Sequence, residues 1–136
     1  MLKPYERMVY YYETDKMGIM HHSNYIRILE ETRIFFLEQA GMPFPEIEAK
    51  GILMPVLSVE CKYLRPLRFG DHLSADLKIE KFNGVTLDVS YIVRKKETGE
   101  ICAEGKSSHC FTDVNLVPVR TKRAYPEIYK VFADNM

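Results

Sequence analysis

One long helical pattern that is apolar over most of its surface constrains the fold of this chain more than any other feature. Residues 24–40 predict a helix, because largely apolar side chains recur there at three- and four-residue spacing. The recurring positions are Tyr25, Ile28, Leu29, Thr32 and Phe36. Further apolar side chains widen this stripe until little polar surface remains, and such a helix must be mostly enclosed. The rest of the chain is therefore expected to wrap around it.

Residues typical of helix termini flank this segment. Ser23 is expected to be the N-cap, and Gly41 is expected to follow the C-cap. Pro43 and Pro45 oppose any continuation of the helix.

Most of the remaining chain alternates apolar and polar side chains as half-buried strands do. Strands are predicted at 8–12, 57–63, 73–79, 85–93 and 101–114. Asn83-Gly84 predicts a hairpin with a type I′ turn, and Thr98-Gly99 predicts a second turn. Small residues in the last strand, such as Gly105, would let the sheet approach a bulky group closely. A short terminal helix is predicted at 126–132.

This order of elements predicts an α+β protein with an antiparallel sheet. At 136 residues, folding buries roughly two-thirds of the surface of the unfolded chain, so a single domain spanning 1–136 is expected. One helix covers only one face of a sheet, and a second subunit could cover part of the other. The pattern therefore favours a homo-oligomer.

Charge and hydropathy argue against several classes of partner. The 19 basic residues balance the 19 acidic ones, whereas non-specific nucleic-acid binding needs a basic surplus. No apolar run approaches the ~18 residues that span a bilayer, and the charged N-terminus does not resemble a signal peptide. Cys61, Cys102 and Cys110 lack metal-binding spacing and are expected to be reduced. We expect no nucleic-acid partner, no stable membrane insertion and a cytoplasmic location.

The loop before the long helix concentrates the reactive side chains. It contains Glu13, Asp15, Gly18 and the adjacent pair His21-His22. A carboxylate there would be ionised at neutral pH and could act as a general base or a nucleophile. Unpaired N–H groups at the start of a helix can stabilise a developing oxyanion, and Gly18 would let the backbone approach a substrate closely.

The same residues also have structural interpretations. Asp15 could simply cap a turn, and the two histidines could lie on the surface or cap the helix. A metal site needs more ligands than this segment supplies, so no metal is predicted. Composition and spacing alone support an α+β domain with a candidate site in this loop.

Two motifs carry a resemblance to a known family. The first is Asp15-x-x-Gly18-Ile19-x-x-His22-x-Asn24-Tyr25, followed on the helix by Glu30 and Arg33. The second is Tyr63-Leu64-Arg65-Pro66-Leu67-Arg68-Phe69-Gly70-Asp71. Together they resemble the hotdog-fold acyl-CoA thioesterases of the 4-hydroxybenzoyl-CoA thioesterase family. The similarity covers about residues 5 to 126.

The resemblance implies a curved antiparallel sheet of about five strands wrapped around one long central helix. It implies active sites at the interface of a homodimer, with homotetramers also common. The implied activity is hydrolysis of a thioester of CoA, or of acyl carrier protein, to a free carboxylic acid, with no cofactor.

The resemblance also implies roles for individual residues. Asp15 is the expected catalytic carboxylate, either as nucleophile or as general base. The backbone N–H near His22 would polarise the thioester oxygen, while its side chain orients substrate or water. The expected substrate-binding residues are Gly18, Asn24 and Tyr25. Glu13 could be mistaken for the base, but the spacing of Asp15 to Gly18 and His22 matches the family.

Several alternatives stay open. A hotdog-fold hydratase or dehydratase could use His22 and Glu30, and a non-catalytic module could bind acyl-CoA without turnover. Lys16, Met17 and Met20 depart from the small or aromatic residues of many relatives and leave the acyl preference open. Basic clusters that could hold CoA phosphates or remain solvated are Arg65/Arg68, Arg94–Lys96 and Arg120–Arg123.

Overall fold

Five strands form one sheet in this computed structural model, which describes residues 2–136. They are β1 (Tyr5–Met8), β2 (Val56–Tyr63), β3 (His72–Phe82), β4 (Thr86–Lys95) and β5 (Ile101–Cys110). All neighbouring strands are antiparallel, and their order is β1-β3-β4-β5-β2. β1 and β2 are therefore the two edges of the sheet.

One long helix packs against this sheet. The helices are α1 (Ser23–Gln39), α2 (Phe44–Ala49), α3 (Thr121–Ala124) and α4 (Pro126–Ala133). All five positions of the predicted stripe on α1 are buried. The approach is tight at Gly105 of β5, where a Cβ atom would lie 2.9 Å from Leu29 Cδ1. The predicted α+β class is confirmed, as is the need for a small residue at this point of the sheet.

The two ends of α1 differ in how well the sequence predicts them. Gly41 follows the C-cap as predicted, with a φ of +84°. The amides of Gly41 and Met42 donate to the carbonyls of Glu38 and Leu37, which makes a Schellman motif. The prediction of Ser23 as N-cap is wrong. His22 occupies that position without a side-chain capping bond. The Ser23 hydroxyl bonds His21 Nδ1 at 2.9 Å.

The first strand also differs from its prediction at 8–12. β1 ends at Met8, and Tyr11–Glu13 forms a 3₁₀ turn. The Glu13 carboxylate accepts hydrogen bonds from the Tyr10 amide and the Arg7 guanidinium, which closes the chain into a turn. This local bonding outweighs the strand preference of the three tyrosines.

The hairpins form at the predicted places with one change of turn type. Of Asn83 and Gly84, only Gly84 has a positive φ, so the turn is not type I′. The Asn83 side chain accepts the amides of Val85 and Thr86, which makes a three-residue connection with glycine in the left-handed position. β5 ends at Cys110, since Thr112 bridges Leu53 and Pro118 instead of continuing the ladder.

The helices α2 and α4 differ in whether the sequence predicts them. α4 confirms the predicted terminal helix, whereas α2 is an addition in which Pro45 occupies the first turn.

Within residues 2–136, no helix is long and apolar enough to cross a bilayer. The three cysteines are unpaired. Met1 lies outside the described residues.

Candidate active site

A tight loop between the 3₁₀ turn and α1 fixes the position of Asp15. The Asp15 amide donates to the Ile19 carbonyl at 3.0 Å, and the Gly18 amide donates to the Asp15 carbonyl at 2.9 Å. This reversal requires the positive φ of +78° at Gly18. Asp15 Oδ1 accepts the Met17 amide at 2.9 Å. Asp15 thus does hold a turn, and its Oδ2 accepts no protein hydrogen bond from residues 2–136.

A cavity of about 380 Å³ opens where this loop meets the start of α1. Three of the five predicted site residues line it, namely Asp15, His22 and Tyr25. The remaining lining residues are Met17, Ile19, Met20, Tyr63, Leu64, Arg65 and Pro66. Most of this wall is apolar, which suits an acyl group, while a carboxylate and a helix terminus supply the polar part.

The backbone N–H groups at the start of α1 differ in whether residues 2–136 supply them with an acceptor. The Ser23 amide donates to His21 Nδ1, and the next two amides donate to the carbonyls of His21 and His22. The His22 amide has no acceptor within residues 2–136. His22 also lines the cavity, and unpaired N–H groups at the start of a helix can stabilise a developing oxyanion.

Aromatic rings form one wall of the cavity. The Tyr25 and Tyr63 rings meet edge to face with centroids 5.0 Å apart, and the Tyr63 hydroxyl donates to the His22 carbonyl at 3.3 Å. Burial raises the pKa of Tyr25 above its ordinary value, so its phenol stays neutral at physiological pH. These contacts hold the aromatic part of the wall of the cavity that Asp15 also lines.

Gly18 and Asn24 do not line the cavity. Gly18 closes the turn that begins at Asp15, because its amide donates to the Asp15 carbonyl. Asn24 is buried at the start of α1, where its Nδ2 donates to the Glu13 carbonyl at 2.9 Å. Both residues therefore bear on the geometry of the loop in this structure.

Glu13 lies close to Asp15 in sequence but in very different surroundings. Its side chain is 4 % exposed and forms two hydrogen bonds of 2.7 Å with the Arg7 guanidinium. Burial alone would raise the pKa of Glu13, but the bonds from Arg7 and the Tyr10 amide outweigh it and hold the pKa below its ordinary value. This carboxylate is committed to the fold, as its bonds to β1 and the 3₁₀ turn show.

The end of β2 and the segment after it contribute residues to the cavity that the sequence does not assign to the acyl site. Tyr63, Leu64, Arg65 and Pro66 all line the cavity. They belong to the second family motif, which was the available signal. The end of that motif is structural, because Asp71 Oδ2 accepts the Arg68 amide at 2.8 Å.

Glu30 is not near the cavity. It is exposed on α1, eight residues after His22, and eight residues of α-helix span about 12 Å. The His22 and Glu30 pair required by the hydratase alternative is therefore not assembled within one subunit. Three or more metal-binding side chains do not come together anywhere in residues 2–136.

A five-stranded antiparallel sheet packed on one long helix, with a carboxylate-bearing cleft at the start of that helix, defines a hotdog-fold protein. Residues 9–132 match the Thioesterase-like superfamily. Because this match covers nearly the whole chain, the chain belongs to that superfamily and is a thioester hydrolase.

Individual relatives agree with this assignment. A protein of Aquifex aeolicus (strain VF5) named "Putative esterase" is 38% identical over 106 residues, covering 78% of this chain and 81% of its own length. A protein of Bacillus subtilis (strain 168) named "Putative acyl-CoA thioesterase YneP" is 30% identical, covering 91% and 90%. The crystal structure of the hypothetical protein TT1821 from Thermus thermophilus is 30% identical, with a TM-score of 0.91 over 99% of this chain and 100% of that one.

Proposed function

We propose that this chain hydrolyses an acyl-CoA thioester to a free carboxylic acid and CoA, with Asp15 as the catalytic carboxylate and the His22 amide as oxyanion donor. One observation carries the proposal: the unbonded Oδ2 of Asp15 and the unused N–H of His22 belong to residues lining one cleft. Superfamily membership supplies the reaction class. The acyl-CoA substrate is supported by the name of the Bacillus subtilis relative.

Two chemical routes fit this geometry. Asp15 can accept a proton from a water molecule whose oxygen attacks the carbonyl carbon. It can instead attack that carbon itself, forming a mixed anhydride that water then hydrolyses. In both routes the carbonyl oxygen gains negative charge, and in this proposal the His22 N–H donates a hydrogen bond to it. Breaking the C–S bond then releases the thiolate, which gives the free acid directly in the first route and the mixed anhydride in the second. The thiolate takes up the proton held by Asp15 in the first route and a proton from water in the second.

The remaining predicted residues contact the substrate or hold the loop that carries Asp15. Tyr25 walls the acyl site, and the His22 side chain orients substrate or water at the rim. We propose that Gly18 and Asn24 act by holding the loop that carries Asp15. Because a thioester is already an activated acyl donor, the reaction needs no metal or redox cofactor.

The wider setting of the enzyme belongs to the same proposal. We propose that residues 1–136 form one hotdog domain of the 4-hydroxybenzoyl-CoA thioesterase family, supported by the spacing from Asp15 to Tyr25. The enzyme acts as a homodimer or homotetramer, since the edge strand β2 exposes Val56, Leu57 and Val59. The unpaired cysteines suit a reducing cytoplasm.

A thiol-release assay over a panel of acyl-CoA substrates tests the reaction. The panel contains saturated, aromatic and 2-enoyl thioesters, and both free thiol and enone absorbance are followed. We expect thiol release from at least one saturated or aromatic member, because hydrolysis breaks the C–S bond. Its preferred member identifies the acyl class.

Two outcomes would contradict the proposal. Loss of enone absorbance without thiol release would indicate a hydratase. Tight acyl-CoA binding with no change in any thioester would indicate a non-catalytic module.

A further inference from the structure

A second cavity adjoins the candidate active site on the side of the segment after β2. Its volume is about 220 Å³, and it shares Arg65 and Pro66 with the catalytic cleft. Its other lining residues are Arg68, Asp71, Lys95, Glu100 and Cys102. A ligand too long for the catalytic cleft could therefore continue into this cavity.

Four of the five charged side chains in this second cavity form ion pairs with one another. Arg65 pairs with Glu100 at 3.2 Å, and Lys95 pairs with Asp71 at 3.6 Å. Asp71 is also held by the Arg68 amide. The Arg68 guanidinium has no carboxylate within 4 Å among residues 2–136. The cavity thus contains three cations against two carboxylates, with Arg68 as the cation left over.

The position of Arg68 links this cavity to the catalytic loop. A Cβ atom on Gly18 would lie 3.8 Å from Arg68 Nη1, so the guanidinium lies against the turn that carries Asp15. An anion held by Arg68 would sit directly beside the cleft.

The other basic residues of the nearby β4 end are engaged elsewhere. Arg94 faces Asp76 at 3.9 Å, and Lys96 bonds Glu6 at 2.8 Å. Of the basic cluster at 94–96, only Lys95 lines the second cavity.

We propose that this cavity binds the diphosphate of the CoA leaving group, with Arg68 as its principal contact and Arg65 and Lys95 beside it. The inference rests on the proposed function, which supplies the CoA thioester. Arginine binds phosphate oxygens through paired N–H donors. The diphosphate is the phosphate group nearest the thioester along CoA, and the cavity shares Arg65 and Pro66 with the cleft. Binding there would seat the leaving group while the carbonyl lies at Asp15.

The test compares Arg68→Gln with the wild-type enzyme on ligands that differ only in phosphate content. KM is measured for an acyl-CoA and for the pantetheine thioester of the same acyl group. Calorimetry with CoA, dephospho-CoA and pantetheine gives Kd independently of turnover. Lys106→Gln is the matched control, since Lys106 is an exposed cation that lines a different cavity.

We expect Arg68→Gln to raise KM for acyl-CoA and Kd for CoA about tenfold, the size of one lost charge-assisted hydrogen bond. Dephospho-CoA, which keeps the diphosphate, should lose affinity equally, while the pantetheine ligands and the Lys106→Gln variant should change less than about twofold.

The proposal is overturned if Arg68→Gln affects pantetheine and CoA ligands alike, or neither. It is also overturned if dephospho-CoA is insensitive, because Arg68 would then contact the 3′-phosphate. Wild-type protein that binds CoA in this pattern but releases no thiol would contradict the proposed function and leave the phosphate site supported.

Discussion

Two carboxylates separated by a single residue, those of Glu13 and Asp15, lie in different surroundings. Glu13 is buried and bonded to Arg7, while Asp15 lines the cleft and one of its oxygens accepts no hydrogen bond from residues 2–136. Both are acidic residues before a helix, so composition alone does not distinguish them. The contacts of Arg7 make that distinction, because a carboxylate already accepting a bidentate guanidinium is poorly placed to accept a proton.

Glu13→Gln should therefore damage stability rather than chemistry. The substitution leaves the Arg7 guanidinium without its buried counter-charge, which costs about 2–3 kcal/mol of the free energy of unfolding. Urea unfolding measures that loss, and kcat of the folded variant should stay within a few-fold of wild type. A variant of unchanged stability but abolished turnover would give Glu13 the role assigned to Asp15.

A buried histidine makes stability depend on pH. His109 Nε2 bonds Ser107, which bonds Tyr91, which accepts Arg33. Burial first, and the positive charge of Arg33 second, lower the pKa of His109 from 6.5 to about 4, with Asp88 opposing them. His109 is thus neutral in the folded protein at pH values where the unfolded chain is already protonated.

The sign of the effect follows from the protons bound in each state. Between pH 6.5 and pH 4 the unfolded chain holds more protons at this site, so stability falls as the pH falls, by about 3 kcal/mol in total. Urea unfolding across this range should show a smaller loss for His109→Asn than for wild type. Parallel curves would mean that His109 is protonated in the folded state.

The tight packing of Leu29 on α1 against Gly105 on β5 can be tested with single and double substitutions. Gly105→Ala places a methyl group against Leu29 and should cost about 1–2 kcal/mol, because the buried leucine must shift. Leu29→Val shortens that side chain. The double variant should therefore be about 1 kcal/mol more stable than the sum of the two single effects, as read from chemical unfolding. Simple additivity would show that α1 and β5 do not press on each other here.

The sequence predicts the elements that depend on periodicity and misplaces those that depend on local bonding. The stripe on α1 and the three long strands after β2 follow directly from alternating or helical spacing. The tyrosines at 10–12 have strand propensity, but a carboxylate three residues away turns the chain. Likewise, Asn83-Gly84 makes a hairpin whose type is decided by the Asn83 side chain.

Only the part of the candidate site that lies in the loop before α1 and in the first turn of α1 is predictable from the sequence. The loop before α1 carries its own motif, so Asp15, His22 and Tyr25 could be named in advance. The wall from Tyr63 to Pro66 is distant in the chain and reaches the loop only because β2 lies beside β5 at the sheet edge. The unused N–H of His22 depends on where the helix begins, which capping propensities misjudged.

The assembled molecule is proposed to bury its exposed edge strand against a second copy. Leu57 is 59% exposed on β2, and an unpaired strand edge offers free backbone groups for pairing. Leu57→Lys should raise the dimer Kd about tenfold or more, since a buried leucine contributes 1.5–3 kcal/mol. Val114→Lys, at another exposed aliphatic residue, is the control.

Sedimentation over a concentration series measures this dissociation. Wild-type protein should sediment as a multiple of its 15.9 kDa chain, and Leu57→Lys should shift toward the single chain at concentrations where Val114→Lys does not. A wild-type monomer at all concentrations, or dissociation by the control alone, would refute an interface at β2.

The turnover number of Asp15→Asn, measured on the best substrate of the thiol-release panel, tests most directly whether Asp15 is the catalytic carboxylate. Asparagine keeps the hydrogen bond to the Met17 amide but neither accepts a proton well nor attacks a carbonyl. We expect kcat to fall about 10²-fold or more, with the unfolding curve close to wild type. A folded Asp15→Asn enzyme with near-normal kcat would show that the carboxylate beside the start of α1 is not the catalytic group.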